Sequence, residues 1–157
     1  MDEAREVLDA CAARGLTLAV AETDTGGLVL EALTAIPGSS RVVLGGLVPY
    51  HDQLKQSLLG LSSELLAVRG AVSPEVAAAM AHAVRELAHA DIGLATTGIA
   101  GPGGATNSKP VGLAYVAAAS VAGALIREHR WTSDRASNRR ASARGVLALA
   151  LELVKKS

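Results

Sequence analysis

Phenylalanine is missing from this chain of 157 residues, and its only aromatic residues apart from histidine are Tyr50, Tyr115 and Trp131. A platform for stacking nucleic-acid bases needs more than that. Lys plus Arg equals Asp plus Glu, so there is no basic excess of the kind nucleic-acid binders carry. Cys11 is the only cysteine, which excludes an internal disulfide and a thiol metal site. A small buried residue on the first helix is the plain reading of Cys11. No apolar run reaches the roughly 18–20 residues of a membrane-spanning helix. The charged start, Met1-Asp2-Glu3-Ala4-Arg5-Glu6, reads as a helix start rather than a signal peptide. A cytoplasmic protein without membrane or nucleic-acid partners is the expectation.

Half of the chain is hydrophobic, mostly Ala, Leu and Val, enough for one domain with a real core over residues 1–157. Few aromatics and many small residues suit close packing of helix on sheet, and are compatible with a subunit interface. Asp2 to Arg14 carries helical spacing and stops at Gly15. Leu16 to Ala21 reads as a strand, and Leu28 to Ile36 as a helix. Arg41 to Tyr50 reads as a strand whose Gly45-Gly46 pair marks a bulge or a close backbone approach. Helices follow at His51 to Leu59, from Ser62 or Ser63 to Gly70, and from Ser73-Pro74-Glu75 to His89. Ile92 to Thr96 is a buried strand. Val111 to Ala119 and Ala124 to Trp131 read as a hairpin, and Asp134 caps a last helix to Val154. This order predicts a three-layer α/β/α sandwich with a mixed, mostly parallel sheet.

Two glycine-rich turns follow strands: Ala21-Glu22-Thr23-Asp24-Thr25-Gly26-Gly27 and Thr96-Thr97-Gly98-Ile99-Ala100-Gly101-Pro102-Gly103-Gly104. Strand-to-helix turns present free N–H groups to a ligand, so one site built from both is expected. The second turn lacks the Lys-Ser/Thr ending of a nucleotide P-loop and the spacing of a dinucleotide fingerprint. It keeps the capacity to hold an anion or an oxyanion. Metal binding has no support: His82 and His89 share a helix face but stand seven residues apart, and His51 and His129 have no evident partner. A hydroxyl nucleophile at Thr23 or Thr25, deprotonated by Lys55, is the sharper idea. The alternative is that the threonines cap a helix and Lys55 is a solvated charge.

Glu22, Thr25-Gly26-Gly27, Pro37-Gly38-Ser39-Ser40, Tyr50 with Lys55, Gly70-Ala71-Val72-Ser73, the segment Thr97 to Gly104, Lys109-Pro110-Val111-Gly112 and Asp134-Arg135 stand in the order found in one family. The chain resembles the C-terminal domain of the competence/damage-inducible protein CinA, also found as a free-standing nicotinamide-nucleotide amidase. The resemblance implies hydrolysis of the carboxamide of nicotinamide mononucleotide to nicotinate mononucleotide and ammonia, with no metal and no cofactor. It implies a nucleophile at Thr23, where the family has serine, a base at Lys55, and Tyr50 beside it. It places Thr25, Gly26, Gly27, Thr97, Gly98 and Gly101 around the substrate. Arg135 matches an arginine of that pocket, with Arg139 the alternative. A homo-oligomer is implied as well. The chain departs from the family where Thr23 and Asp24 replace serine and cysteine. The methyl of Thr23 restricts χ1, and Asp24 could pair with Lys55 and hold it protonated. Two functions follow: a working amidase, or a paralogue that keeps the nucleotide pocket for binding.

Overall fold

Leu18-Ala19-Val20-Ala21 and Ile92-Gly93-Leu94-Ala95 share one alternation, larger side chains on one face and Ala or Gly on the other, and Val116 extends the larger face. Successive side chains of a strand point to opposite faces, so this pattern makes a sheet with two unlike sides. The computed structural model, which describes residues 1–157, shows the consequence. Leu18, Val20, Ile92, Leu94 and Val116 pack against helices α1 (Asp2–Arg14), α2 (Leu28–Thr34) and α6 (Arg135–Lys156). Ala19, Ala21, Ala95, Ala117 and Ala119 face α5 (Pro74–Ala88), with α3 (Asp52–Leu59) and α4 (Ser63–Arg69) on the same side. The small face lets α5 lie very close: a Cβ on Gly93 would sit 1.9 Å from the Ala81 carbonyl oxygen.

The sheet has five strands, β1 (Leu18–Glu22), β2 (Val43–Leu47), β3 (Ile92–Gly98), β4 (Leu113–Ser120) and β5 (Gly123–Arg130), in the order β2-β1-β3-β4-β5. β1 pairs in parallel with β2 and β3, while β4 is antiparallel to both β3 and β5. Only β4 runs against the other four. The three-layer α/β/α sandwich with a mixed sheet is therefore observed.

Local features follow the expected chemistry with shifted boundaries. The second strand is shorter than Arg41 to Tyr50, because Ser39–Arg41 forms a 3-10 turn and the pairing ends at Leu47. Gly45-Gly46 does both things expected of it: the register slips at Leu44, and a Cβ on Gly46 would meet the Val20 carbonyl oxygen at 2.4 Å. Gly15 closes α1 in the left-handed conformation. Ser62, Ser73 and Asp134 each accept a backbone N–H at a helix start. His51 caps α3 with its ring nitrogen, a use of that histidine absent from the sequence reading. His129 stacks on Trp131 at 4.4 Å and lies against Gly145. No helix is long and apolar enough to cross a membrane.

Candidate active site

The chain leaves β1 toward β2 on one side and leaves β3 toward β4 on the other. This reversal opens a crevice beyond the carboxyl ends of β1 and β3, the usual ligand position in an open α/β sheet. A cavity of about 250 Å³ occupies it. Its wall is assembled from the β1 turn (Thr23, Asp24), the start of α3 (Asp52, Lys55, with Tyr50 just before), the second glycine loop and Arg135 of α6.

Lys55 is not a solvated charge. Its side chain is 1% exposed, and Nζ donates to the Tyr50 carbonyl oxygen at 3.3 Å and to Asp52 Oδ1 at 3.5 Å. Burial lowers its pKa; the carboxylate of Asp52, then those of Asp24 and the Tyr50 phenol, act in the opposite direction. Asp52 thus opposes the effect of burial on the lysine, and its position three residues upstream was a signal available in the sequence. Asp24 makes no ion pair with Lys55: the lysine pairs with Asp52.

Thr23 is buried, and its Oγ1 rests on Met80 Sδ at 4.0 Å, a weak acceptor. Asp24 is 7% exposed, and its Oδ1 has no hydrogen-bond partner. Burial pushes the Asp24 carboxyl up to about 6, with the Ser142 and Thr96 hydroxyls pulling the other way.

Thr25, Gly26 and Gly27 do not line the cavity. Thr25 is fully buried, its hydroxyl joined to Glu22 Oε2 at 2.5 Å and Thr96 Oγ1 at 2.7 Å. It does not cap α2. That task falls to Glu22, also fully buried, whose carboxylate accepts from the N–H groups of Gly27, Val29 and Leu30. The helix start expected to present free N–H groups to a ligand is therefore already filled by an internal anion. The free donors lie elsewhere: the N–H groups of Ala100, Gly101, Gly103 and Gly104 make no hydrogen bond within the chain.

The two arginines left open by the sequence have separate places. Arg135 lines the cavity, donating from Nη1 to the Gly101 carbonyl oxygen (2.9 Å) and from Nη2 to the Tyr50 hydroxyl (3.2 Å). Arg139 lies behind the first turn and donates to the carbonyl oxygens of Asp24 and Thr25. A Cβ on Gly26 would come within 3.0 Å of its Nη2, so this glycine makes room for the guanidinium. Asn138 donates to the Ala100 carbonyl oxygen. Positions 135, 138 and 139 share one helix face. That spacing was the sequence signal for Asn138. Thr97 lines the cavity and donates to the Ala71 carbonyl oxygen at 2.7 Å, while Gly98 and Gly101 form the adjoining wall. No group of three His, Cys, Asp or Glu side chains is arranged to hold a metal ion.

Fold and cavity together define a three-layer α/β protein with a cavity at the crevice of its sheet. The family model for the CinA C-terminal domain matches residues 2–154, and the chain belongs to that family. A CinA-like protein of Desulfotalea psychrophila is 48% identical over 130 residues, covering 83% of this chain and 32% of that protein. A CinA-like protein of Acidobacterium capsulatum is 49% identical over 134 residues, 85% and 32% of the two chains. The chain thus spans about a third of the length of these curated relatives. Among solved structures, the competence/damage inducible protein CihA of Agrobacterium tumefaciens superposes with a TM-score of 0.94 at 40% identity, over 97% of this chain and 93% of that one. A competence-damaged protein (CinA) superfamily protein of Klebsiella pneumoniae gives 0.95 at 30% identity, over 99% and 98%.

Proposed function

We propose that this chain is an amidohydrolase that converts nicotinamide mononucleotide to nicotinate mononucleotide and ammonia. The observation that carries the reading is the shared cavity: a hydroxyl (Thr23), a desolvated lysine (Lys55) and an arginine with a free edge (Arg135) all line it. Family membership and the unbroken Thr97-to-Gly104 segment support the same reading.

In this mechanism Lys55, brought toward neutrality by burial, takes the Thr23 hydroxyl proton. A turn of Thr23 about χ1, or one intervening water, carries the proton from its resting place beside Met80. Oγ1 then bonds to the carboxamide carbon, and the carbonyl π electrons move onto oxygen. Free N–H groups of the second glycine loop stabilise that oxyanion. When the tetrahedral centre collapses, the C–N bond breaks and Lys55 returns the proton to the leaving nitrogen, releasing ammonia. Water, deprotonated by Lys55, cleaves the threonyl ester to the carboxylate and restores the hydroxyl. Arg135 holds the substrate phosphate with the part of its guanidinium fork that faces the cavity.

A second reading, a pocket kept for nucleotide binding after hydrolysis was lost, is favoured by Asp24 in the cavity wall and by the absence of a direct Thr23–Lys55 hydrogen bond. Ammonia release from nicotinamide mononucleotide, followed in the native protein, Thr23→Ser and Thr23→Ala, separates the two. Native turnover abolished by Thr23→Ala and kept by Thr23→Ser is the expected result. Calorimetric binding without native turnover would establish the second reading.

A further inference from the structure

Asp24 is a member of the cavity wall that the proposed chemistry does not employ. Its carboxyl group fits only because position 98 is glycine: a Cβ there would lie 2.8 Å from Asp24 Oδ2. Arg139 fixes its backbone through the carbonyl oxygen but does not touch the carboxyl group. Oδ1 is buried and accepts from nothing in the protein. Such an orphan costs stability, and it is sealed from the cavity; the other oxygen, Oδ2, lies beside Gly98 of the cavity wall, where a ligand N–H would meet it.

The chemistry of the ligand narrows the choice, given the amidase reading on which this inference rests. The reacting carboxamide must come within bonding distance of Thr23, and Asp24 is the next residue. Of the groups on a nicotinamide nucleotide, the phosphate is an anion and belongs with Arg135. The carboxamide NH2 carries the donors. After hydrolysis the same position holds a carboxylate, an acceptor-only anion. We propose that Asp24 is the specificity residue of the pocket, accepting a hydrogen bond from the carboxamide NH2 through Oδ2, the oxygen beside Gly98 of the wall, and repelling the carboxylate product. A site built to bond an N–H strongly disfavours the analogue that lacks it, and here like charge adds to the effect. The pocket then admits a pyridine carboxamide and ejects the acid.

The test is calorimetric titration with nicotinamide mononucleotide and nicotinate mononucleotide near pH 8, in the Thr23→Ala background so that no turnover intervenes. The amide is expected to bind about tenfold or more tightly than the acid. Adding Asp24→Asn should bring the two affinities to within about threefold, mainly by tighter binding of the acid, since the asparagine oxygen can still accept from the amide. Asp24→Ser, smaller and uncharged, should collapse the ratio in the same way. An amide-to-acid ratio unchanged by both substitutions overturns the role of Asp24 while leaving the nucleotide pocket in place. Failure of either nucleotide to bind any of the proteins overturns the reading of the pocket, and this inference with it.

Discussion

Asp24→Asn is expected to stabilise the protein at neutral pH and to have little effect in acid. The carboxyl group is 7% exposed, and burial raises its pKa from 3.8 to about 6. Below the lower value the group is protonated in both the folded and unfolded chain, and its burial as an acid carries no ionisation cost. As the pH rises, the unfolded chain loses the proton first, and folding becomes less favourable. Above about 6 the whole penalty is present. At about 1.4 kcal/mol for each pH unit between the two values it comes to about 3 kcal/mol. Asparagine occupies nearly the same volume and does not titrate. The stability of Asp24→Asn relative to native should therefore grow by about 3 kcal/mol from about pH 3 to about pH 8, which is about 6–12 °C in Tm for a chain of this size. Urea denaturation of both proteins across that range measures the difference directly. Parallel stability curves would refute the reasoning, because they would mean that the Asp24 carboxyl titrates alike in the folded and unfolded states.

Glu22→Ala should destabilise the protein by about 3 kcal/mol or more, since it removes the acceptor of three backbone N–H groups and one of the two partners of the Thr25 hydroxyl; a loss below about 1 kcal/mol in urea denaturation contradicts the capping role. Lys55→Met keeps the buried stem and removes the ammonium group, so turnover should vanish while stability near pH 7 equals or exceeds that of the native protein. The sign follows from the lowered lysine pKa: the penalty on its charged form is full below the folded-state value and fades as the pH rises through that value toward the ordinary 10.5. Circular dichroism melts near pH 7 and near pH 10, with the advantage of methionine shrinking at the higher pH, check it.

Much of the architecture was legible because it rests on short-range rules. The alternation in β1 and β3, the Ser73-Pro74 and Asp134 helix starts and the glycine pair in β2 each act within a few residues. The cavity was legible in part for the same reason: both turns follow parallel neighbours, and Thr23, Tyr50, Lys55, Thr97, Gly98, Gly101 and Arg135 converge on it. Thr25, Gly26 and Gly27 lie off the cavity because the turn after β1 carries the chain away from it beyond Asp24. Thr25 points to Glu22 and Thr96 instead of the cavity. The place of Arg139 depends on a contact with residues 114 and 115 positions away, which no local pattern encodes. Sequence spacing likewise told nothing of the burial of Lys55, which depends on how α3 seats beside the crevice.

Both arginines, together with Asn138, come from α6, the last element of the chain order. During synthesis the β1 turn, the start of α3 and the second glycine loop all emerge before it. They have no bracing guanidinium on the Asp24 and Thr25 carbonyl oxygens and no anchor for Ala100 and Gly101 until α6 docks. The wall of the pocket is therefore completed by the same helix that closes one face of the sheet, so core and cavity are finished together.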